Sequence, residues 1–192
     1  MIAELGLAAL WLAAALALLQ LAMGGLGLWL SRRDTAAPAI AGDLIAGVRP
    51  VALVQGLLAA ASFGALVLLF VRTDLSVLLV AQNSHSAKPM LYKLSGAWGN
   101  HEGSMLLWVT VLGLAGGLIA LVERRLEVRT LVATLAAQAT IALGFYAFLL
   151  VASNPFARLS PAAPEGLGLI PLRQDPGLAF HPPTLYFGYV GL

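Results

Sequence analysis

Residues 1–34 read MIAELGLAALWLAAALALLQLAMGGLGLWLSRRD. From Leu5 to Leu30 no side chain is charged, a run longer than the about 20 residues that span a bilayer as a helix. The order of its features excludes a secretory signal. The basic pair Arg32–Arg33 follows the run instead of preceding it, and the run exceeds the about 7–15 residues of a signal's apolar core. Arginines after the run favour an N-terminus outside the membrane and Arg32–Arg33 inside.

The rest of the chain repeats this pattern. Of its 192 residues 60% are hydrophobic and 10% charged, where a soluble domain carries about 25% charge. Further spans are predicted at about Val51–Val71, with Pro50 in the first helical turn, at about Met105–Val122 and at about Leu131–Val151. A fifth begins near Pro183 and is cut off at 192. The expected fold is therefore all-α: a polytopic integral membrane protein with four complete transmembrane helices, the start of a fifth, and the N-terminus outside. About two helical turns are too few to cross a bilayer, so Leu192 is not expected to be a natural terminus.

Charge density orients the spans. The short connections 31–49 and 123–130 carry Arg32, Arg33, Arg49, Arg124, Arg125 and Arg129. The long connections 72–104 and 152–182 carry Arg72, Lys88, Lys93, Arg158 and Arg173. Raw counts are nearly even, but the short loops are the dense ones and are placed in the cytoplasm. The long loops then share the outer face, periplasmic in a Gram-negative bacterium. Trp29 at the inner boundary and Trp98, Trp108, Tyr186 and Tyr189 near outer ends fit the aromatic belts of a membrane. In the outer loops, 75–84 is predicted extended, 88–98 a short interfacial helix, and 153–173, with four prolines, irregular.

Several function classes fall away. A net charge of +2 with no basic face gives nothing for nucleic acid to bind. The absence of cysteine excludes disulfides, thiolate metal sites and thiol catalysis within this chain. No charge falls in mid-membrane, which disfavours a transporter. Gln20, Gln55 and Gln138 are the notable polar residues there, and interhelical hydrogen bonds are expected of them. HEGSM at 101–105 is not a zinc-protease HExxH.

The chemistry-bearing residues lie in the outer loops. In QDPGLAFHPPTLYFGYV (174–190), His181 precedes Pro182 and Pro183. Proline pushes the preceding residue to extended angles and suits a helix start, so His181 is predicted just outside a helix at the outer surface. Tyr186, Phe187 and Tyr189 follow within two turns. A neutral imidazole at a half-dry aromatic surface suits a haem iron. By residue type alone, a hydrogen bond to a loop carbonyl is the commoner role. In WGNHEGS (98–104), Asn100 or Ser104 is a candidate N-cap, and Glu102 suits a helix N-terminus. His101 is either a ligand or orienting residue, or an interfacial hydrogen-bonding group. His85, among small polar residues, is expected to be solvated. Gln174 and Asp175 read as turn residues, with a role in positioning His181 as the alternative.

Three stretches carry a family resemblance: YKLSGAWGNHEGSMLLW (92–108), SNPFARL (153–159) and PLRQDPGLAFHPPTLYFGYVG (171–191). The chain resembles the N-terminal portion of the CcmF family, the large membrane subunit of the cytochrome c haem lyase. The NrfE-type lyase is a close relative. The resemblance implies a multi-pass protein of the bacterial inner membrane that takes haem from the chaperone CcmE. With CcmH and CcmI-type partners, the family directs thioether attachment of haem to the CxxCH cysteines of apocytochrome c. It implies that His181 is one axial ligand of the substrate haem, a b-type haem before attachment. Tyr186 is then a haem contact, and His101 and Glu102 support the ligand from behind. The family's tryptophan-rich WWD segment, its second flanking histidine and both histidines of its membrane haem b are not in this chain. Alone, the chain is not expected to be an active lyase. The rival reading is a non-catalytic scaffold or partner-binding segment of a cytochrome assembly complex, or a truncated inactive lyase.

Overall fold

A computed structural model describes residues 1–32, 38–167 and 176–191. They form seven helices: α1 (Ile2–Arg32), α2 (Pro38–Arg72), α3 (Leu78–Asn83), α4 (Met90–Gly96), α5 (His101–Val122), α6 (Val128–Val151) and α7 (Pro176–Gly191). Of these, α1, α2, α5 and α6 are long and apolar enough to cross a membrane. Strand-type pairing among the described residues is limited to one bridge, Val77 with Arg158.

The four spans meet through small residues, as helices do where lipid removes the hydrophobic drive to associate. Gly27 of α1 abuts Leu44 and Ile45 of α2, and Met23 lies over Gly47. The α2–α5 approach is closer still. A Cβ on Gly56 would stand 2.4 Å from the carbonyl oxygen of Gly113, so the backbones touch. The glutamines behave as expected. Gln20 Nε2 donates to the Leu135 carbonyl at 2.7 Å and to Gln138 Oε1 at 2.9 Å, linking α1 to α6. Gln55 Nε2 donates to the Tyr146 hydroxyl, linking α2 to α6.

One end of the bundle carries the long connections. Leu78 N–H donates to Ala157 O at 2.9 Å and Leu159 N–H to Ser76 O at 2.8 Å, so the two connections pair with each other. Arg158 ties them to the start of α1, donating from Nε to Glu4 Oε1 at 2.9 Å. Phe156 is buried beneath them against Gly6. At the opposite end, Arg49 donates to the carbonyls of Ala120 at 3.2 Å and Glu123 at 2.8 Å, satisfying groups that the end of α5 leaves open. The Glu123 carboxylate accepts from the backbone of Arg125 and Leu126, which holds its pKa below the usual carboxylate value.

Three boundaries correct the reading of the sequence. First, α2 starts at Pro38, not Pro50, which lies inside the helix. Pro50 removes only the bond to Ala46, and packing of 38–49 on α1 holds the helix through it. Second, residues 78–83 are helical, not extended; only Val77, at φ −100 and ψ 123, keeps strand geometry where it pairs with Arg158. Third, α7 starts at Pro176, with Pro182 and Pro183 inside it. A short helix lies within the predicted 88–98, at Met90–Gly96. Residues 153–167 are irregular as expected, and 33–37, 168–175 and 192 lie outside the described residues.

Candidate functional site

The site is built at the corner between α4 and α5. Asn100 is the N-cap of α5: its Oδ1 accepts from Gly103 N–H at 2.7 Å, while its Nδ2 donates to Gly96 O at 2.6 Å. The corner is tight enough to demand glycine at 103, where a Cβ would stand 1.7 Å from the Ala97 carbonyl oxygen. This geometry presents Trp98, His101 and Glu102 on one side of the turn. Glu102 sits in the first turn of α5, where the helix dipole favours its charge.

Helix α7 closes the site through its prolines. Pro183 has no N–H to give the carbonyl four residues back, that of Ala179. The indole of Trp98 fills the vacancy: Nε1 donates to Ala179 O at 2.8 Å. Further along, the Trp108 ring lies 5.4 Å from that of Tyr186 and 6.4 Å from that of Tyr189, and stacks on Phe145 at 5.5 Å.

Between these elements lies a cleft of about 570 Å³, lined by residues that include Ser95, Trp98, His101, Glu102, Pro182 and Tyr186. Three residues singled out in the sequence thus share one cleft: His101, Glu102 and Tyr186. His181 does not line it. It is exposed in the second turn of α7, beside Pro182, which does. Its expected place outside the helix is a correction, because the freed Ala179 carbonyl has a partner and the helix continues through both prolines.

His101 belongs to two surfaces. It borders the cleft and also an apolar groove of about 310 Å³ formed with Met105, Ile141, Gly144, Phe145 and Phe148. Its Nδ1 faces Ser153 Oγ at 3.3 Å, and its ring meets Phe148 edge-on at 5.3 Å. Nε2 has no partner among the described residues. His85 Nδ1 accepts from the Ala87 amide at 3.1 Å in a local turn and does not line the cleft. Gln174 and Asp175 lie outside the described residues.

Nearby, the Ser86 hydroxyl and amide and the Gly166 amide donate to Glu165, lowering its pKa to about 2. Partial burial lowers Lys88 to about 8, and its Nζ donates to the Asn83 carbonyl at 2.9 Å. Two groups escaped the sequence reading. Ser95 carried no signal at all. Trp98 was recognised as a membrane-belt anchor, but not as the donor that holds α7.

No cluster of three or more His, Cys, Asp or Glu that could hold a bare metal ion occurs among the described residues. A single imidazole is the type of donor that serves axially to a metal already held in a macrocycle. His181 is an exposed imidazole on α7, which also carries the exposed Phe180, Phe187 and Tyr189.

Four apolar spans with an aromatic-walled cleft at one end define a multi-pass membrane protein with an open cleft at its surface. Residues 98–192, which contain most of that site, match the family described as Cytochrome C assembly protein. The whole chain is 52% identical to the cytochrome c-type biogenesis protein CycK of Bradyrhizobium diazoefficiens and 45% identical to CcmF of Pseudomonas aeruginosa, spanning 28% of each. Over 77% of its length it is 40% identical to NrfE of Haemophilus influenzae, spanning 23% of that protein. The solved structure of the cytochrome c haem lyase CcmF matches the whole chain with a TM-score of 0.81 at 26% identity, over 28% of that structure. The chain belongs to the cytochrome c assembly family, of the CcmF type, and spans about 28% of the length of the curated relatives that match all of it.

Proposed function

We propose that this chain is the N-terminal part of a cytochrome c haem lyase and presents haem at the outer, periplasmic face of the bacterial inner membrane. His181 is an axial ligand of the haem iron. Tyr186 contacts the macrocycle. His101 and Glu102 support the site from the cleft wall. The observation that carries this reading is an exposed imidazole beside a cleft walled by Trp98, Tyr186 and Pro182, within the segment that matches the family.

Haem is substrate here. Attachment adds a cysteine thiol across a vinyl group: the S–H bond breaks, a C–S bond forms at one vinyl carbon, and the other carbon gains a hydrogen. No net oxidation occurs. The protein's contribution is to hold the macrocycle so that thiol and vinyl meet in the right orientation, where proximity supplies much of the rate. The haem chaperone CcmE, CcmH and CcmI-type subunits and apocytochrome c are the partners this role requires. A non-catalytic scaffold in a cytochrome assembly complex is the competing role.

The test is a haem titration of the chain in detergent, together with a segment supplying the remainder of the family pattern. A Soret band is expected, weakened or shifted by His181→Ala and untouched by His85→Ala. A spectrum unchanged in His181→Ala removes the ligand assignment and leaves the scaffold role.

A further inference from the structure

Pro182 and Pro183 remove two backbone donors from the turn of α7 that carries His181. The carbonyls of Leu178 and Ala179 each lose the N–H four residues on. A helix weakened at this point takes its position from what bonds it to the bundle. Trp98 supplies such a bond, with Nε1 donating to Ala179 O at 2.8 Å. The donor is itself well held. The Trp98 and Gly99 amides donate to Ser95 O at 3.2 and 2.8 Å, and Asn100 ties the same corner to Gly96 and Gly103. The indole lies beside Phe63 of α2, with ring centroids 6.4 Å apart.

What the bond fixes is the rotation of α7. Successive residues of an α-helix are about 100° apart, so Ala179 and His181 point to nearly opposite sides, about 200° apart. Ala179 is 2% exposed, while His181 is exposed. The next turns keep this division. Tyr186, seven residues after Ala179 and so on its face, is half-buried near Trp108. Gly188, seven residues after His181, is exposed, and a Cβ there would meet nothing within 4 Å. The Thr184 hydroxyl donates to His181 O at 2.9 Å, but that bond lies within α7 and turns with it. A donor fixed to Ala179 keeps the imidazole on the outer side.

We infer that Trp98 is a positioning residue for His181: its indole N–H holds α7 in the rotation that presents the imidazole to an incoming tetrapyrrole. This rests on the reading of His181 as a haem ligand.

The experiment is a haem titration of Trp98→Phe in detergent, together with the segment that completes the family pattern. Haem affinity should fall about two- to tenfold, the worth of one hydrogen bond, and the Soret band should move part of the way toward that of His181→Ala. Excess free imidazole should abolish the difference from the unsubstituted protein, because it supplies a ligand that does not depend on α7. In a His181→Ala background, Trp98→Phe should change nothing further. Position 98 carrying β-(3-benzothienyl)alanine, which keeps the two-ring shape and lacks the N–H, should behave as Trp98→Phe does. A merely structural role would lower the melting temperature and leave the haem spectrum and affinity unchanged, and that result overturns the inference. So does an effect of Trp98→Phe that persists in His181→Ala protein, which would put the indole against the macrocycle itself. If His181→Ala leaves the Soret band unchanged, the ligand reading falls and the positioning role falls with it. If His181→Ala changes the band and Trp98→Phe does not, only the positioning role falls.

Discussion

Helix α5 makes two contacts of opposite kind. Against α2 it packs backbone on backbone, with Gly56 and Gly113 leaving no room for a methyl group. On its other flank it meets α7 through rings: Trp108 against Tyr186 and Tyr189, with Trp98 reaching a single carbonyl. Phe180, Phe187 and Tyr189 of α7 stay more than half exposed. The first contact fixes the bundle. The second holds the helix that carries His181 through side chains. Under the proposed function, a site that admits a large flat ligand and releases it is better served by the second kind.

Paired glycine substitutions break this comparison most sharply. Gly56→Ala drives a methyl into the Gly113 carbonyl and should cost about 1–3 kcal/mol in detergent unfolding. Gly188→Ala in α7 meets nothing within 4 Å and should be neutral, or stabilising by up to about 1 kcal/mol from helix propensity. Equal effects would mean that the two contacts do not differ. Trp98→Phe comes next. It keeps the ring and removes the donor to Ala179, so α7 should loosen by about 1 kcal/mol, read as faster amide exchange over 184–190 with α2 unchanged. Within the bundle, a double-mutant cycle of Gln20→Leu and Gln138→Leu should return a coupling of about 0.6 kcal/mol. Smallest is a pH effect at the loop end. With its pKa lowered from 4.5 to about 2, Glu165 helps hold the loops together above pH 4.5, and this help is lost as pH falls toward 2. The protection factors of the Ser86 and Gly166 amides, taken against intrinsic exchange at each pH, should fall over that window and stay flat in Glu165→Gln.

The existence of the spans was legible because long uncharged runs have one stable answer in a bilayer. Their limits were less so. Hydropathy reports contact with lipid, and α2 is helical through Asp43 and Arg49, which the apolar pattern stops short of. The β-branched look of 75–84 pointed to extended chain, but pairing with Arg158 confines strand geometry to Val77. Pro182 and Pro183 read as a helix start by local rules. What overrides those rules is a bond from Trp98, 81 residues away in the chain, which no local pattern contains. For the site, His101, Glu102 and Tyr186 were recognisable by residue type and position. Ser95 was not, because an unpaired hydroxyl is visible only once its surroundings are folded.

The central claim is that the imidazole of His181 bonds the haem iron, and chemical rescue tests it most directly. Haem-loaded His181→Ala protein, prepared with the segment that completes the family pattern, should show a weakened or shifted Soret band that free imidazole restores. His85→Ala should need no rescue. A His181→Ala spectrum that matches the unsubstituted protein, or that imidazole leaves unchanged, would contradict the assignment.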